Sequence, residues 1–245
     1  HAMPFLTGKT PKFHDFASAT LSELYRDLEK AQRFEANTLA SGVLLNNGKG
    51  TFEFRELPAM AQVAPVFGIA VSDFDADGNL DLFLAQNFHS PQAETGRMDG
   101  GVSVLMRGLG DGNFSAMRAD RSGLVIAGDA KGVALTDLNG DAWPDLLVAV
   151  NGGELQAFEN VPPAGSRPLV VELRGGQRRT GTPARLVPSG AIGARISVKL
   201  DSGRPLVKEV YAGGGYLSQN SQLTSFAIPA GDNVESVSVL WADGK

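Results

Sequence analysis

From Ser41 onward the chain alternates short apolar runs with glycine-rich turns, a pattern that predicts brief strands rather than helices. Strands are expected at 42–45, 51–57, 67–72, 80–86, 102–106 and 113–118, with a polar excursion over 87–101. Ahead of them, Leu21, Leu24, Tyr25, Leu28 and Ala31 recur at helical spacing. Thr20 and Glu23 stand where a capping box needs them, so one helix is expected from Leu21 to Phe34. Residues 4 to 16 carry no clear period. Val161-Pro162-Pro163-Ala164-Gly165 reads as a linker, and the texture changes after it. Runs at 169–173, 194–200, 206–211, 223–228 and 234–241 then predict a small antiparallel β domain, interrupted by an irregular basic loop over 174–185.

Two markers repeat along the first strand-rich region. Gly48-Lys49-Gly50-Thr51-Phe52 returns as Gly110-Asp111-Gly112-Asn113-Phe114, 62 residues on. An acidic loop at Asp73 returns at Asp137, 64 residues on. One period shared by independent markers implies a repeating unit of about four short strands, the size of a β-propeller blade. Counted this way, the chain holds the last two strands of one blade, a complete blade and about three strands of another. A closed propeller needs about four to eight blades, so either the chain is a piece of a longer parent with further blades, the favoured expectation, or another copy or the helix covers the free edges.

The acidic loops carry the candidate chemistry. Asp73-Phe74-Asp75-Ala76-Asp77-Gly78-Asn79-Leu80-Asp81 places side-chain oxygens at positions one, three, five and nine. Asn79 at position seven can add its backbone carbonyl. A hard cation such as calcium takes six to eight oxygens at about 2.3–2.6 Å, and crowded carboxylates repel one another without it. An EF-hand would place a bidentate glutamate at position twelve; Leu84 stands there, within an apolar strand-like run. The second loop offers Asp137, Asn139, Asp141 and Asp145, with Trp143 as carbonyl donor. It has one carboxylate fewer, and Ala142 replaces the glycine at position six, where a positive φ is expected.

These loops, joined to the Asn-Asn-Gly-Lys-Gly-Thr-Phe type of turn, resemble FG-GAP/VCBS repeats over roughly residues 40 to 160, the calcium-binding blades also found in integrin α-chain propellers. The resemblance implies about two structural calcium ions, each joining strands one and two of a blade. Further on, Ser189-Gly190-Ala191-Ile192-Gly193-Ala194-Arg195, the stretch Glu209 to Ser221 around Gly213-Gly214-Gly215, and Val239-Leu240-Trp241-Ala242-Asp243-Gly244 follow in order. Together they resemble the ASPIC/UnbV domain that accompanies such propellers in the cartilage-acidic-protein-like family. Residues 181–187 read as an insertion before the first phrase, and Ala242 stands where proline is common.

The expected organisation is mainly β. His1-Ala2-Met3 reads as a cloning remnant. A helical N-terminal segment (4–38), propeller blades (39–161), a linker (162–167) and an ASPIC/UnbV-like antiparallel β domain (168–245) follow. Composition adds limits. An apolar fraction of 42% supports a packed core, and a net charge of −5 gives no reason to expect nucleic acid as a partner. No run approaches the roughly 20 apolar residues of a membrane span. Cysteine is absent, so thiolate chemistry is excluded, and no compartment follows from that.

In an up-and-down blade the acidic loops and the glycine turns share one face, and the 87–101 excursion lies on the other. That other face carries His89, Glu94, Arg97 and Asp99, the candidate ligand-binding residues. Gly213 to Gly215 precede a strand rather than a helix, which suits a tight corner and not a phosphate loop. Arg174, Arg178, Arg179 and Arg185 suit a solvated loop better than a polyanion site. Outside the tag the histidines are His14 and His89, neither beside a recognisable nucleophile, so no enzyme is expected. The expected function is a calcium-binding extracytoplasmic adhesion or interaction module with a protein or glycan ligand. The alternative is a piece of a carbohydrate-active enzyme or lectin whose site lies opposite the calcium loops.

Overall fold

Period-two runs punctuated by glycine turns fold as antiparallel strands along most of the chain. The computed structural model describes residues 4–25, 27–92, 94–173 and 191–242. The chain divides into two units, residues 1–39 and 40–245. The basic cluster of Arg174, Arg178, Arg179 and Arg185, the 181–187 insertion, Ser189, Gly190, Asp243 and the 1–3 remnant lie outside the described residues.

The first unit corrects the helix expectation. It holds three short helices, α1 (Pro4–Lys9), α2 (Phe13–Ser18) and α3 (Leu21–Leu24), then a 3-10 turn at Leu28–Lys30. The capping box forms, with the Thr20 N–H donating to Glu23 Oε2 at 2.7 Å. The helix nevertheless stops after one turn, because Tyr25 is extended (φ −120°) and Lys9 Nζ bonds the final carbonyl of Leu24 at 2.6 Å. A helix of this length gains stability mainly by burying an apolar stripe. Of the expected stripe only Leu24 is buried, while Leu28 and Ala31 are exposed, so nothing rewards its continuation.

The second unit opens with three antiparallel meanders. β1 (Gly42–Asn46) pairs with β2 (Phe52–Glu56). Next comes a four-stranded sheet of β3 (Val66–Ser72), β4 (Asp81–Gln86), β5 (Val104–Gly108) and β6 (Phe114–Ala116), in that order. After the one-turn helix α4 (Ala119–Ser122) follows a three-stranded sheet of β7 (Asp129–Thr136), β8 (Asp145–Asn151) and β9 (Gln156–Phe158). Two, four and three strands is the count read from the repeats. The described strands form no closed ring.

The sheets pack face to face. Phe83, Ala85 and Leu105 meet Ile126, Val133, Leu146 and Val148 in one core, while Leu82, Leu84 and Met106 pack on the side of Val43. β4 is buried at all six positions, as a strand sandwiched between two layers must be. β3 meets β7 so closely that a Cβ at Gly68 would run into the Lys131 carbonyl oxygen and come within 2.6 Å of Val133 Cγ2. Only glycine fits there.

The last third forms a two-stranded sheet, β10 (Arg167–Val171) with β13 (Thr224–Ile228), and a three-stranded sheet ordered β12 (Pro205–Glu209), β11 (Arg195–Leu200), β14 (Val234–Leu240). Alternate inward residues Ile196, Val198 and Leu200 bury against Phe226 and Ile228. The triple glycine turns a corner: Gly213 takes φ +65° and Gly215 bridges to Ser218, with no helix following. This segment is anchored to β7, where Ser221 N–H donates to Leu135 O and Leu135 N–H to Asn220 Oδ1, both at 2.9 Å.

Candidate metal centre

Both acidic loops join the first two strands of a sheet, β3 to β4 and β7 to β8, and one hydrogen-bond scaffold builds both. The carboxylate at position one turns inward. Asp73 Oδ2 accepts the position-six N–H of Gly78 at 2.8 Å, and Asp137 Oδ2 accepts that of Ala142 at 2.9 Å. Position three accepts from position five: Asp75 Oδ1 from Asp77 N–H (3.3 Å), Asn139 Oδ1 from Asp141 N–H (3.0 Å). Position five accepts from position seven, Asp77 from Asn79 (2.7 Å) and Asp141 from Trp143 (2.9 Å). The position-nine carboxylate closes each loop, Asp81 onto Phe74 N–H (2.9 Å) and Asp145 onto Leu138 N–H (2.8 Å).

The second oxygen of that last carboxylate binds the third strand or the residues that follow it. Asp81 Oδ1 accepts Gly108 N–H at 2.8 Å, and Asp145 Oδ1 accepts Asn160 N–H at 2.9 Å. The first loop therefore borders the glycine turn after β5, and a Cβ on Gly110 would lie 2.5 Å from Asn79 Oδ1. These expected neighbours do share one end of the sheet.

Curling this tightly takes two left-handed residues per loop, at positions four and six. The first loop uses Ala76 (φ +54°) and Gly78 (φ +82°), the second Gly140 (φ +85°) and Ala142 (φ +71°). Each loop thus places one alanine where a Cβ crowds the backbone, at a cost of about 1–2 kcal/mol. The positive φ expected at Ala142 is present.

In the first loop Asp73, Asp75 and Asp81 bring one oxygen each within 4.8 Å of one another, a group that could hold a metal ion. Ligands of one calcium ion lie at most about 5 Å apart, given its 2.3–2.6 Å bonds, so the donor set fits that ion in type and spacing. Burial pushes the Asp73 carboxyl up to about 7, and repulsion from Asp81, Asp77 and Asp75 adds to it against the Gly78 N–H bond. Burial likewise raises Asp81 to about 6, with Asp75 and Asp77 contributing. This crowding is what a bound cation would relieve.

The surroundings of the two loops differ. Arg107 of β5 sets Nε 2.7 Å from Asp75 Oδ2 and a terminal nitrogen 2.8 Å from Asp77 Oδ2. Both carboxylates raise its pKa, Asp75 most. Arg204, in the β11–β12 turn, donates to the Asp77 carbonyl at 3.0 Å and to Asn79 Oδ1. The first loop is thereby largely covered. Asp137, Asn139 and Asp141 of the second loop are exposed, while Asp145 is fully buried. Asn139 Nδ2 donates to Asp141 Oδ2 and to Glu159 Oε1, both at 3.0 Å. The Trp143 side chain is buried against Ala76 of the first loop and Ala227 of β13, and Ser225 Oγ donates to the Ala142 carbonyl at 3.0 Å.

Sequence reasoning missed Arg107, Arg204 and Glu159. Gly108 follows Asp81 by 27 positions and Asn160 follows Asp145 by 15, because the long excursion lies in one sheet alone. A fixed repeat period therefore does not align Arg107 with Glu159. The ligand candidates on the excursion are not brought together as a group. His89 turns its Nε2 into the protein, where it has no hydrogen-bond partner among the described residues, whereas Glu94, Arg97 and Asp99 are exposed. Beneath the excursion, Asn87 Nδ2 bonds the carbonyls of Gly101, Ala127 and Gly128, and Lys131 pairs with buried Asp129 at 2.5 Å. Burial alone would raise the Asp129 carboxyl, but hydrogen bonds from Lys131 and Asn151 bring it below its ordinary range. A cleft of about 560 Å³ separates β3 and β7 from β12 and the 211–225 segment, with Ile69, Val71, Tyr211 and Leu223 on its walls. Lys208 lines it, donating to the Ser225 carbonyl at 2.6 Å, and burial lowers its pKa.

No described helix is long and apolar enough to cross a membrane. Residues 188–245 match the family model described as ASPIC and UnbV. Over 203 residues the chain is 27% identical to cartilage acidic protein 1 of Homo sapiens, an alignment covering 80% of this chain and 28% of that protein. The Mus musculus protein of the same name gives 27% identity over 80% of this chain and 29% of its own length. That of Xenopus tropicalis gives 26% over 81% and 29%. The chain spans less than a third of the length of the curated relatives it matches, and its C-terminal β region is similar to the ASPIC and UnbV domain.

Proposed function

We propose that this chain is a non-catalytic, extracytoplasmic interaction module in which calcium braces β-propeller blades. In this reading residues 39–161 form FG-GAP/VCBS-type blades, 162–167 a linker, and 168–245 an ASPIC/UnbV-like domain. Asp73, Asp75, Asp77, Asp81 and the Asn79 carbonyl hold one ion, and Asp137, Asn139, Asp141, Asp145 and the Trp143 carbonyl a second. The single observation that carries the reading is the recurrence of five loop hydrogen bonds at equivalent positions between the first two strands of successive sheets. The resemblance to proteins named for cartilage favours an extracellular setting and a protein or glycan partner. The oxygen-only donor sets suit calcium rather than zinc. The ion's work is structural, as it replaces the repulsion among loop carboxylates with attraction.

Thermal unfolding in calcium and in chelator tests this. Calcium at about 100 times its dissociation constant stabilises by roughly 2.7 kcal/mol per site, which is several degrees for a chain of this size. D77A and D141A should each remove part of that shift. If calcium leaves the melting temperature unchanged and elemental analysis finds no bound metal, the proposal fails.

A further inference from the structure

We infer that the cleft between β3 and β7 on one side and β12 and the 211–225 segment on the other binds a small amphipathic molecule. That molecule has an apolar body and one carboxylate, and Lys208 is the group that holds the charge. The inference does not depend on reading the acidic loops as cation sites.

Lys208 stands where a structural role does not account for its charge. Leu206 and Val210 pack on the core of Ile196, Phe226 and Ile228, and the period of two puts Lys208 between them on that same face of β12. Its ammonium lies 5.6 Å from the centre of the Phe226 ring. One protein acceptor meets it, the Ser225 carbonyl at 2.6 Å, and among the described residues no carboxylate comes within ion-pair distance. An ammonium has three hydrogens to place, and lysine is seldom drawn inward unless it is paired. Burial works against its charge, and Asp73 supports it only from farther off. An anion carried by a ligand would satisfy it.

The walls set the rest of the ligand. The cleft measures about 560 Å³, within the roughly 300–1,000 Å³ of small-molecule sites. Ile69 and Val71 line one side and Tyr211 and Leu223 the other, all of them exposed. Such walls favour a hydrocarbon body, since covering them removes apolar surface from water. One inward ammonium matches one negative charge, whereas a phosphate or polyanion calls for several donors. Asp137 and Glu209 also border the cleft, but both are exposed, where solvent and salt screen them. Glu209 is further engaged by the Tyr211 hydroxyl, which donates to it at 2.9 Å.

Calorimetry on the full chain tests the inference with three probes of equal chain length: decanoate, 1-decanol and decylammonium, all kept below micelle-forming concentrations. Decanoate should bind saturably at one site. Decanol should bind about tenfold or more weakly, as expected when a charged hydrogen bond is lost, and decylammonium more weakly still. K208M puts an apolar chain of similar length in place of the ammonium. It should melt no lower than the unmutated chain and should lose the preference for decanoate over decanol. V71W narrows the cleft and should weaken both ligands together. Equal affinity for decanoate and decanol, or no saturable decanoate binding, would overturn the inference without any mutation. So would a decanoate preference that survives K208M, or binding that V71W leaves unchanged. Sedimentation of the ligand-free chain as a dimer that V71W splits would assign the cleft to a second copy and overturn it too.

Discussion

The two acidic loops share five backbone-to-carboxylate or backbone-to-amide hydrogen bonds, yet differ in almost everything that surrounds them. The first is covered, holds two carboxyls pushed toward neutrality and is pinned by two arginines from elsewhere in the chain. The second is open over Asp137, Asn139 and Asp141, and is flanked by a glutamate. Their left-handed residues are exchanged, Ala76 and Gly78 against Gly140 and Ala142. Loop conformation is thus set by local hydrogen bonds that several residue choices satisfy, while loop electrostatics are imported from strands distant in sequence. A repeat can preserve the first and diverge in the second.

The sharpest way to break this comparison is at position nine. Asp81 and Asp145 are both buried, and each accepts two backbone N–H groups. Stranding two donors, each costing about 1–3 kcal/mol, should make D81A and D145A lose roughly 3 kcal/mol or more apiece in urea unfolding with chelator present. Equal losses would support one scaffold in two places. A loss under about 1 kcal/mol in either would show that the loop does not depend on its closing carboxylate.

Backbone geometry gives the next largest effect. G78A and G140A both force alanine to φ above +80°, at about 1–2 kcal/mol. The new methyl at 78 would also lie 2.6 Å from the Arg204 guanidinium, whereas the space at 140 is open. G78A should therefore be the costlier by denaturant midpoint, and an R204A background should bring the two together. The reverse change, A142G, should stabilise the chain by roughly 0.5–1 kcal/mol by relieving the same strain.

Much of this was legible in the residues and some was not, for physical reasons. Strands read well because alternation and glycine turns are local signals, and the 2–4–3 strand count followed from two repeated markers. The helix over 21–34 did not form, because its stripe finds burial for Leu24 alone. That Asp73, Asp75 and Asp81 come together was legible because spacing within nine residues governs it. Arg107, Glu159 and Arg204 were not, since a loop of variable length separates the first two from their partners and Arg204 arrives from 125 residues or more away. Trp143 was read for its carbonyl, yet its ring also wedges between Ala76 and Ala227.

Arg204 offers a gentler test. R204A removes its bonds to Asp77 and Asn79, about 1 kcal/mol for a typical hydrogen bond. Amide exchange should quicken across residues 73–81 and in the β11–β12 turn, and stay unchanged across 137–145. Equal quickening in both loops would mean that they move as one body, through the Trp143 contact, rather than separately.

Acid should separate the loops most subtly. Asp73 and Asp81 have folded-state values raised to about 7 and about 6, above their ordinary 3.8. The metal-free fold therefore binds more protons than the unfolded chain between about pH 4 and 7. By linkage its stability falls as pH rises through that window and is recovered on acidification. In the proposed calcium reading the ion needs the same carboxylates ionised, so proton and ion would compete. The melting temperature in chelator should rise modestly as pH is lowered from 7.5 to 5.5, while the gain from calcium shrinks. D77A, which leaves the second loop to bind, should lose less of its calcium shift over that range than D141A does. If the two variants lose equal fractions, the burial and crowding around Asp73 and Asp81 do not govern how the first loop takes its ion.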